Sequence, residues 1–302
     1  MKAARYHRFG DPEVLSVEEI DPPRPGEGEV LVRVAATTFN PVDSHLRQGA
    51  LQAFYPVALP HTPGIDVSGT VAELGAGVEG LAVGDEIIAF LPLDRPGASA
   101  EYAVVPAGLS APAPGTVPLT DAAALPSSGL TAFQVLFEHG GLRAGQRVLI
   151  TAAGGSVGGF ATRLAVAAGA VVVASAGPHH ADRLRDHGAH EIVGRTDGLS
   201  PDALEPVDLV VNLAPVPAPE LSGFLLPGGT LISVTTPAAD DPARGIRGTR
   251  VNVRPDGAQL ARLAADLDAG RLSLRIGDRL PLTRLVEAHR GETQSKTLII
   301  PE

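Results

Sequence analysis

Apolar residues keep two different rhythms along this chain. Over residues 1–118 they alternate with polar residues in short stretches, at 29–36 (EVLVRVAA), 66–73 (DVSGTVAE), 86–90 and 101–105, separated by turns such as PPRPGEGE and GAGVEGLAVGD. Alternation at period two predicts half-buried strands, and several short ones in succession predict an all-β unit consistent with a small barrel. Past the Pro-rich run APAPGTVP at 111–118 the rhythm lengthens. Helical spacing is found near AAAL, with Thr120 or Asp121 as the cap, and over 131–138; compact apolar strands are found at 148–150, 170–175, 207–213 and 229–234. Helical stretches such as HADRLRDHG connect these strands, and crossovers of that length require a parallel sheet. The C-terminal residues return to a helix over 256–269 and to short strand-like pieces ending in TLIIP, which are expected to rejoin the first domain.

The segment 148–169, VLITAAGGSVGGFATRLAVAAG, joins a buried strand, a glycine turn and an amphipathic helix in immediate succession. Val148, Leu149 and Ile150 form the strand, Gly154, Gly155, Gly158 and Gly159 the turn, and Phe160, Leu164 and Ala168 the apolar helix face. That is the layout of a dinucleotide-binding turn. Gly155 lets the backbone approach a pyrophosphate, Gly158 lets helix and strand pack closely, and the N–H groups of the helix start, at Ser156 and Val157, face the anion. The spacing Ala153-x-Gly155-x-x-Gly158 replaces the first glycine of the usual pattern. Glycines alone would fit any tight turn before a core helix; strand and helix together favour the dinucleotide.

Composition narrows the class. A chain of 302 residues has room for two domains, and 44% hydrophobic residues outweigh its 35 Gly and 27 Pro, so it is globular rather than disordered. No apolar run reaches the roughly 18 residues of a membrane span, and the opening MKAARYHRFGDPEV lacks a signal peptide's apolar core, so a cytoplasmic protein without a membrane partner is expected. The absence of Cys excludes disulfides, a thiolate nucleophile and cysteine-ligated zinc. A net charge of −10 argues against a nucleic-acid partner.

The order of motifs resembles a known family. MKAARYHRFGDPEVL, NPVDSHLRQG at 40–49, HTPGIDVSGTV at 61–71, VGDEI at 83–87, SAEYAVV at 99–105, LPSSGLTA at 125–132, the glycine turn, LLPGGTLISV at 225–234 and the closing EAHRGETQSKTLII are similar, nearly end to end, to zinc-independent medium-chain dehydrogenases/reductases of the quinone oxidoreductase (zeta-crystallin-like) branch. The resemblance implies an α/β chain: a GroES-like β-barrel domain (1–118 and 255–302) into which a Rossmann domain with a doubly wound parallel sheet (119–254) is inserted, with the active site in the cleft between them. Zinc-dependent relatives carry a ligating Cys near Asn40 and Gly-His-Glu near 61–64, where this chain has NPVD and HTPG. His61 is left without companions, and no metal is expected. Without a Lewis acid, the acceptors favoured are those that delocalise charge themselves: quinones, enones or enoyl thioesters.

Site residues follow from the same resemblance. Asn40, in N-P-x-D, is the candidate polar group near nicotinamide or substrate, an Asx turn before Pro41 being the equal alternative. Asp43 is read as a structural partner for Arg47. Relatives place a Tyr just after R-x-G, where this chain has Ala50 and Leu51; Tyr55 is either its substitute or a core residue, solvent being the other candidate proton donor, and the run 49–60 with 90–96 is either an apolar substrate mouth or core. Thr131 in G-x-T-A, with a helix-start cap as its alternative role, Asn212 at the end of the third strand, and Val234 and Thr235 at the end of the fourth are expected beside the cofactor. VVVASAGPHHADR has no acid before Asp182, so Ser175 is the candidate at a 2′-phosphate, His179 is equally a second phosphate ligand or a solvent-exposed loop residue, and NADPH is favoured over NADH, with Arg183 expected to face water. The partner is a small conjugated carbonyl or quinone. A reductase of enone or enoyl-thioester C=C bonds and a non-catalytic nucleotide-binding regulator are the alternatives. For a thioester carrier's phosphates Arg244, Arg247, Arg250 and Arg254 offer the one basic rim, four arginines that would otherwise simply be solvated. The apolar strand 251–253 is the expected edge of a homodimer.

Overall fold

The computed structural model describes residues 1–196, 198–293 and 295–301. The chain divides into two units, Met1–Ser127 with Arg254–Glu302, and Ser128–Val253. In chain order the first segment holds β1 (Lys2–Tyr6), β2 (Leu15–Glu19), β3 (Glu29–Thr38), helix α1 (Pro41–Arg47), β4 (Asp66–Leu74), β5 (Glu86–Phe90), β6 (Tyr102–Pro106), β7 (Ser110–Pro112) and α2 (Leu119–Ala122). Then come α3 (Pro126–Phe133), β8 (Arg147–Ile150), α4 (Ser156–Ala167), β9 (Val171–Ser175), α5 (Ala181–Asp186), β10 (Glu191–Val193), β11 (Val207–Asn212), α6 (Ala218–Ser222), β12 (Leu225–Ser233) and β13 (Arg247–Arg250). The returning segment carries α7 (Gly257–Asp268), β14 (Arg279–Pro281), α8 (Leu285–His289) and β15 (Leu298–Ile300). No helix among the described residues is long and apolar enough to cross a membrane.

The first unit is built on β3. Antiparallel β4 lies on one of its edges, while β6 and β15 share the other, β6 against Glu29 to Arg33 and β15 against Thr37 and Thr38. The period-two alternation is cashed out here: Val30, Val32 and Val34 of β3, Ile87 and Ala89 of β5, and Ala103 and Val105 of β6 point into one buried cluster with Val67 and Val71. A second cluster joins the N-terminal hairpin (Ala4, Tyr6, Leu15) to the returning segment (Leu280, Leu282, Leu285, Ile299), so the C-terminal strands do complete the first unit. This unit continues past residue 118 to Ser127 because Ala123 and Ala124 pack with Ala36 and Leu298. The alternation did not announce β1, β2 or α1. β2 is largely exposed and polar, and α1 is short with a single buried apolar side chain, Leu46.

The second unit is a six-stranded, all-parallel sheet in the order β10-β9-β8-β11-β12-β13. Strand order reverses direction between β8 and β11, the switch point at which sheets of this class bind ligands beyond their C-terminal ends. Leu149, Val173, Val210, Phe224, Leu231 and Ile246 fill one core of this unit. The helix expected over 131–138 starts earlier, as α3, and its last turn widens into a π-helical turn over 134–139, closed by Gly140 N–H to the Val135 carbonyl at 3.1 Å. The edge strand is Arg247–Arg250, not 251–253. The sequence pattern selected the apolar VNV, but backbone pairing to β12 runs through RGTR, whose side chains are mostly exposed, so hydropathy does not mark it.

Candidate active site

In the second unit the glycine turn lies between β8 and α4, at the C-terminal end of the parallel sheet. The residue that turns the chain in the left-handed region is Ala152, at φ 47°, whereas Gly154, Gly155 and Gly158 stay outside it. These glycines serve close approach. A Cβ at Gly158 would lie 2.5 Å from both the Ala152 carbonyl oxygen and Ala153 Cα, and one at Gly154 would lie 2.0 Å from the His180 ring. At Gly155, exposed at the tip, a Cβ would meet only the Ala152 carbonyl oxygen, at 3.3 Å. Helix α4 begins without a side-chain cap, with Ser156 and Val157 half-buried in its first turn. Its first N–H groups therefore need an outside acceptor, and an open, glycine-lined helix start suits a pyrophosphate.

The other residues expected at the cofactor divide by what they already hold. Ser175 is buried at the end of β9 and spends its hydroxyl hydrogen on the Gly194 carbonyl at 2.9 Å, leaving lone pairs rather than a donor for a phosphate. His179 is exposed on the following turn, its ring 3.9 Å from that of His180, and it is His180 that closes over Gly154. Arg183 does not simply face water: its guanidinium donates to the Gly154 carbonyl at 2.6 Å, tying α5 to the turn. Asn212 is fully enclosed. Its amide oxygen accepts from Thr151 Oγ1 at 3.0 Å and its amide nitrogen donates to the Val216 carbonyl at 2.9 Å and Thr236 Oγ1 at 3.1 Å, so the side chain binds the ends of β8, β11 and β12 together. Val234 and Thr235 follow β12, half-buried and exposed, and Thr131 is half-buried on α3. Arg244 and Arg247 turn to Ser222, Leu225 and Thr230, and Arg254 pairs with Asp256 at 2.6 Å, while Arg250 is exposed, so three of the four arginines are already engaged within the chain.

In the first unit a polar cluster gathers around Asp66, which is completely buried at the start of β4. Its carboxylate accepts from Ser127 N–H at 2.7 Å, Ser127 Oγ at 2.8 Å, Asn40 Nδ2 at 3.0 Å, Lys296 Nζ at 3.0 Å and Thr38 Oγ1. Burial alone would raise its pKa, but the Lys296 charge and these hydrogen bonds outweigh it and hold Asp66 below the usual carboxylate range. Asn40, half-buried at the N-cap of α1, accepts from Lys296 Nζ at 2.8 Å on its Oδ1. Asp43 closes a capping box by accepting the Asn40 N–H at 2.8 Å, and also takes the Gly64 N–H at 3.0 Å. It is thus not the partner of Arg47, which reaches His289 Nδ1 at 3.2 Å and the Gly10 carbonyl. Burial, only partly offset by those two N–H donors, pushes the Asp43 carboxyl up to about 7.

Tyr55 is half-buried in the turn after α1, and its hydroxyl has no hydrogen-bond partner among the described residues. Of the apolar run 49–60, Phe54 is 74% exposed while Val57 is buried; Phe90 and Leu91 are buried, Leu91 among the core residues of the barrel. His61 is enclosed with its ring 5.3 Å from that of Tyr6, and burial takes its pKa down to about 4. Among the described residues no three His, Cys, Asp or Glu side chains gather as a metal site would require. Asp66, Lys296, Thr38 and Ser127 were not singled out from sequence. Two signals were there: a carboxylate heading an apolar strand, and a lysine in a chain that has only two lysines, Lys2 and Lys296, beside 22 arginines.

Residues 26–115 match the alcohol dehydrogenase GroES-like domain and residues 187–297 a zinc-binding dehydrogenase domain. The quinone oxidoreductase of Lama guanicoe is 30% identical over 98% of this chain and 94% of its own length. The chloroplast envelope quinone oxidoreductase homolog of Arabidopsis thaliana is 36% identical over 64% of this chain, and the match spans 60% of that relative's length. The quinone oxidoreductase from Coxiella burnetii has a TM-score of 0.88 at 27% identity, covering 99% of both chains. A mycobacterial protein solved in complex with NADPH has a TM-score of 0.84 at 26% identity, covering 100% of both. The chain therefore belongs to the medium-chain dehydrogenase/reductase superfamily of oxidoreductases, in its quinone oxidoreductase branch.

Proposed function

We propose that this chain reduces a quinone or another conjugated carbonyl acceptor with NADPH, without a metal. The observation that carries this reading is the turn at 152–158, open at Gly155, closely packed at Gly158 and followed by an uncapped helix start at the switch point of a parallel sheet. NADPH, when bound, would supply the hydride. The first-turn N–H groups of α4 would take its pyrophosphate, while Arg183 donates to the Gly154 carbonyl and the His180 ring packs against Gly154. NADPH over NADH is supported by the residues after β9, Ala176, Gly177 and Pro178, none of which is the carboxylate that a ribose 2′-hydroxyl would use.

Hydride addition to a conjugated carbonyl creates an enolate or phenolate, which needs one hydrogen-bond donor more than a Lewis acid. The first unit offers two: the Tyr55 hydroxyl, without a protein partner among the described residues, and the Asn40 carboxamide, fixed by its neighbours. The donor set supports metal-free chemistry, since the chain has no Cys and His61 is buried against Tyr6. We further propose a homodimer through the β13 edge beyond Gly248, whose own N–H is taken by Asp240 Oδ1 at 3.0 Å.

The test is the decay of NADPH absorbance with metal-free protein against 1,4-benzoquinone, a simple enone and a crotonyl thioester, with NADH as control. Rapid oxidation with quinone is the expected result. A preference for enone or thioester shifts the reading to C=C reduction, and stabilisation by NADPH without turnover of any acceptor would leave a nucleotide-binding regulator.

A further inference from the structure

Asn40 is pinned from both sides by groups that can play one part only. A lysine ammonium can only donate and a carboxylate can only accept, so Lys296 at 2.8 Å identifies Oδ1 and Asp66 at 3.0 Å identifies Nδ2. Rotating the amide by half a turn would face NH2 with a cation and oxygen with an anion. The second contact of Nδ2, Thr38 Oγ1 at 3.1 Å, is itself hydrogen-bonded to the same Asp66 oxygen, so both acceptors lie on one side of the nitrogen, at an angle well under 120°. The two N–H bonds of a planar amide diverge by about 120°, so a straight bond to either acceptor leaves the second N–H with no acceptor in line. Lys296 and Asp66 are both buried, whereas Asn40 is half-buried, so Asn40 is the most accessible of the three. A buried ion pair contributes little to stability for the desolvation it costs, and its best-attested use is to fix one arrangement out of several.

We propose that Lys296 and Asp66 are positioning residues that hold the Asn40 carboxamide in a single orientation and so present its second N–H as the donor to the oxyanion formed on a conjugated carbonyl substrate. This rests on the hydride-transfer reading above. Lys296 has a second effect in the same direction: its charge against Oδ1 polarises the amide and strengthens the N–H as a donor.

Two measurements test it. Side-chain amide exchange by NMR on the full chain is expected to show one Asn40 Nδ2 hydrogen exchanging at least about tenfold more slowly than the other, and Lys296→Met is expected to equalise them. In turnover with the acceptor the wild type reduces fastest, Lys296→Met is expected to lower kcat by about 30-fold with KM changed by less than about threefold, and Lys296→Arg to restore most of it. In an Asn40→Ala background the same substitution should cost less than about twofold, because the residue it acts through is gone. Unequal exchange retained in Lys296→Met overturns the proposal, and so does a full 30-fold loss in the Asn40→Ala background. Should Lys296→Met not fold, the isosteric Asp66→Asn serves, with the same equalisation expected. If the wild type turns over no conjugated acceptor, the hydride-transfer reading fails, while the exchange data still decide whether Lys296 orients Asn40.

Discussion

A methyl group is enough to test the glycine turn. Gly158→Ala places its Cβ 2.5 Å from backbone atoms of residues 152 and 153, which no rotamer can relieve. We expect a loss of about 1–3 kcal/mol in stability and of NADPH binding, read by thermal melting with and without cofactor. Titratable residues make a second test. Burial takes His61 to about 4 and His289, beside Arg47, to about 3, and His187 is also lowered to about 4, while all three return to 6.5 on unfolding. Between pH 6.5 and about 4 the unfolded chain therefore binds more protons, and stability falls as pH falls. Asp43, raised to about 7 from 3.8, works oppositely across that window, since the folded form keeps its proton. Three imidazoles against one carboxyl leave an uptake of about two protons on unfolding. Urea midpoints should drop from pH 6.5 to 4.5, and His289→Gln, which keeps an acceptor for Arg47, should flatten the slope by at most about 1.4 kcal/mol per pH unit. A midpoint that rises on acidification would refute this account. None of these shifts was legible in the chain, because burial and neighbours create them.

At the scale of elements, caps and edges differ in how strongly the local sequence marks them. Asp256, expected as the first residue of the helix over 256–269, instead caps α7 by accepting the Gln259 N–H at 2.9 Å. Asp256→Ala should cost about 1 kcal/mol, measured by urea unfolding, and should leave kcat unchanged. Arg183→Leu releases the Gly154 carbonyl from α5, and we expect weaker NADPH binding with little change in thermal stability, read by fluorescence titration. Neither Arg183 nor His180 could be chosen from HHADR. A turn of one residue more or less exchanges which histidine faces the glycines, and only packing decides it. The β13 edge was missed for a similar reason: a strand pairs through its backbone, so four residues as polar as RGTR can hold a sheet position that their side chains do not advertise.

At the scale of the whole molecule, the two units have separate cores and separate contributions. The Rossmann-type unit carries the turn, and the barrel unit carries Asn40, Tyr55 and the Asp66–Lys296 pair. Light scattering should give a mass about twice the 30.9 kDa of one chain, with β13 as the pairing edge. A mass of one chain would mean that Asp240, bonded to Gly248 N–H, keeps that edge closed.

By itself the sequence determined the fold class, the parallel sheet of the second unit, the glycine turn and the return of the C-terminal strands. All of these are written in periodicity, in turn residues and in motif order, which are local properties. Tertiary structure decided the rest: that Lys296 meets Asp66 across 230 residues of chain, that Asn40 is held between them, that Ser175 is spent on Gly194, and that Asn212 ties strands together. Such pairings depend on which distant side chains share a buried volume, and hydrogen-bond capacity is assigned only once those neighbours are known.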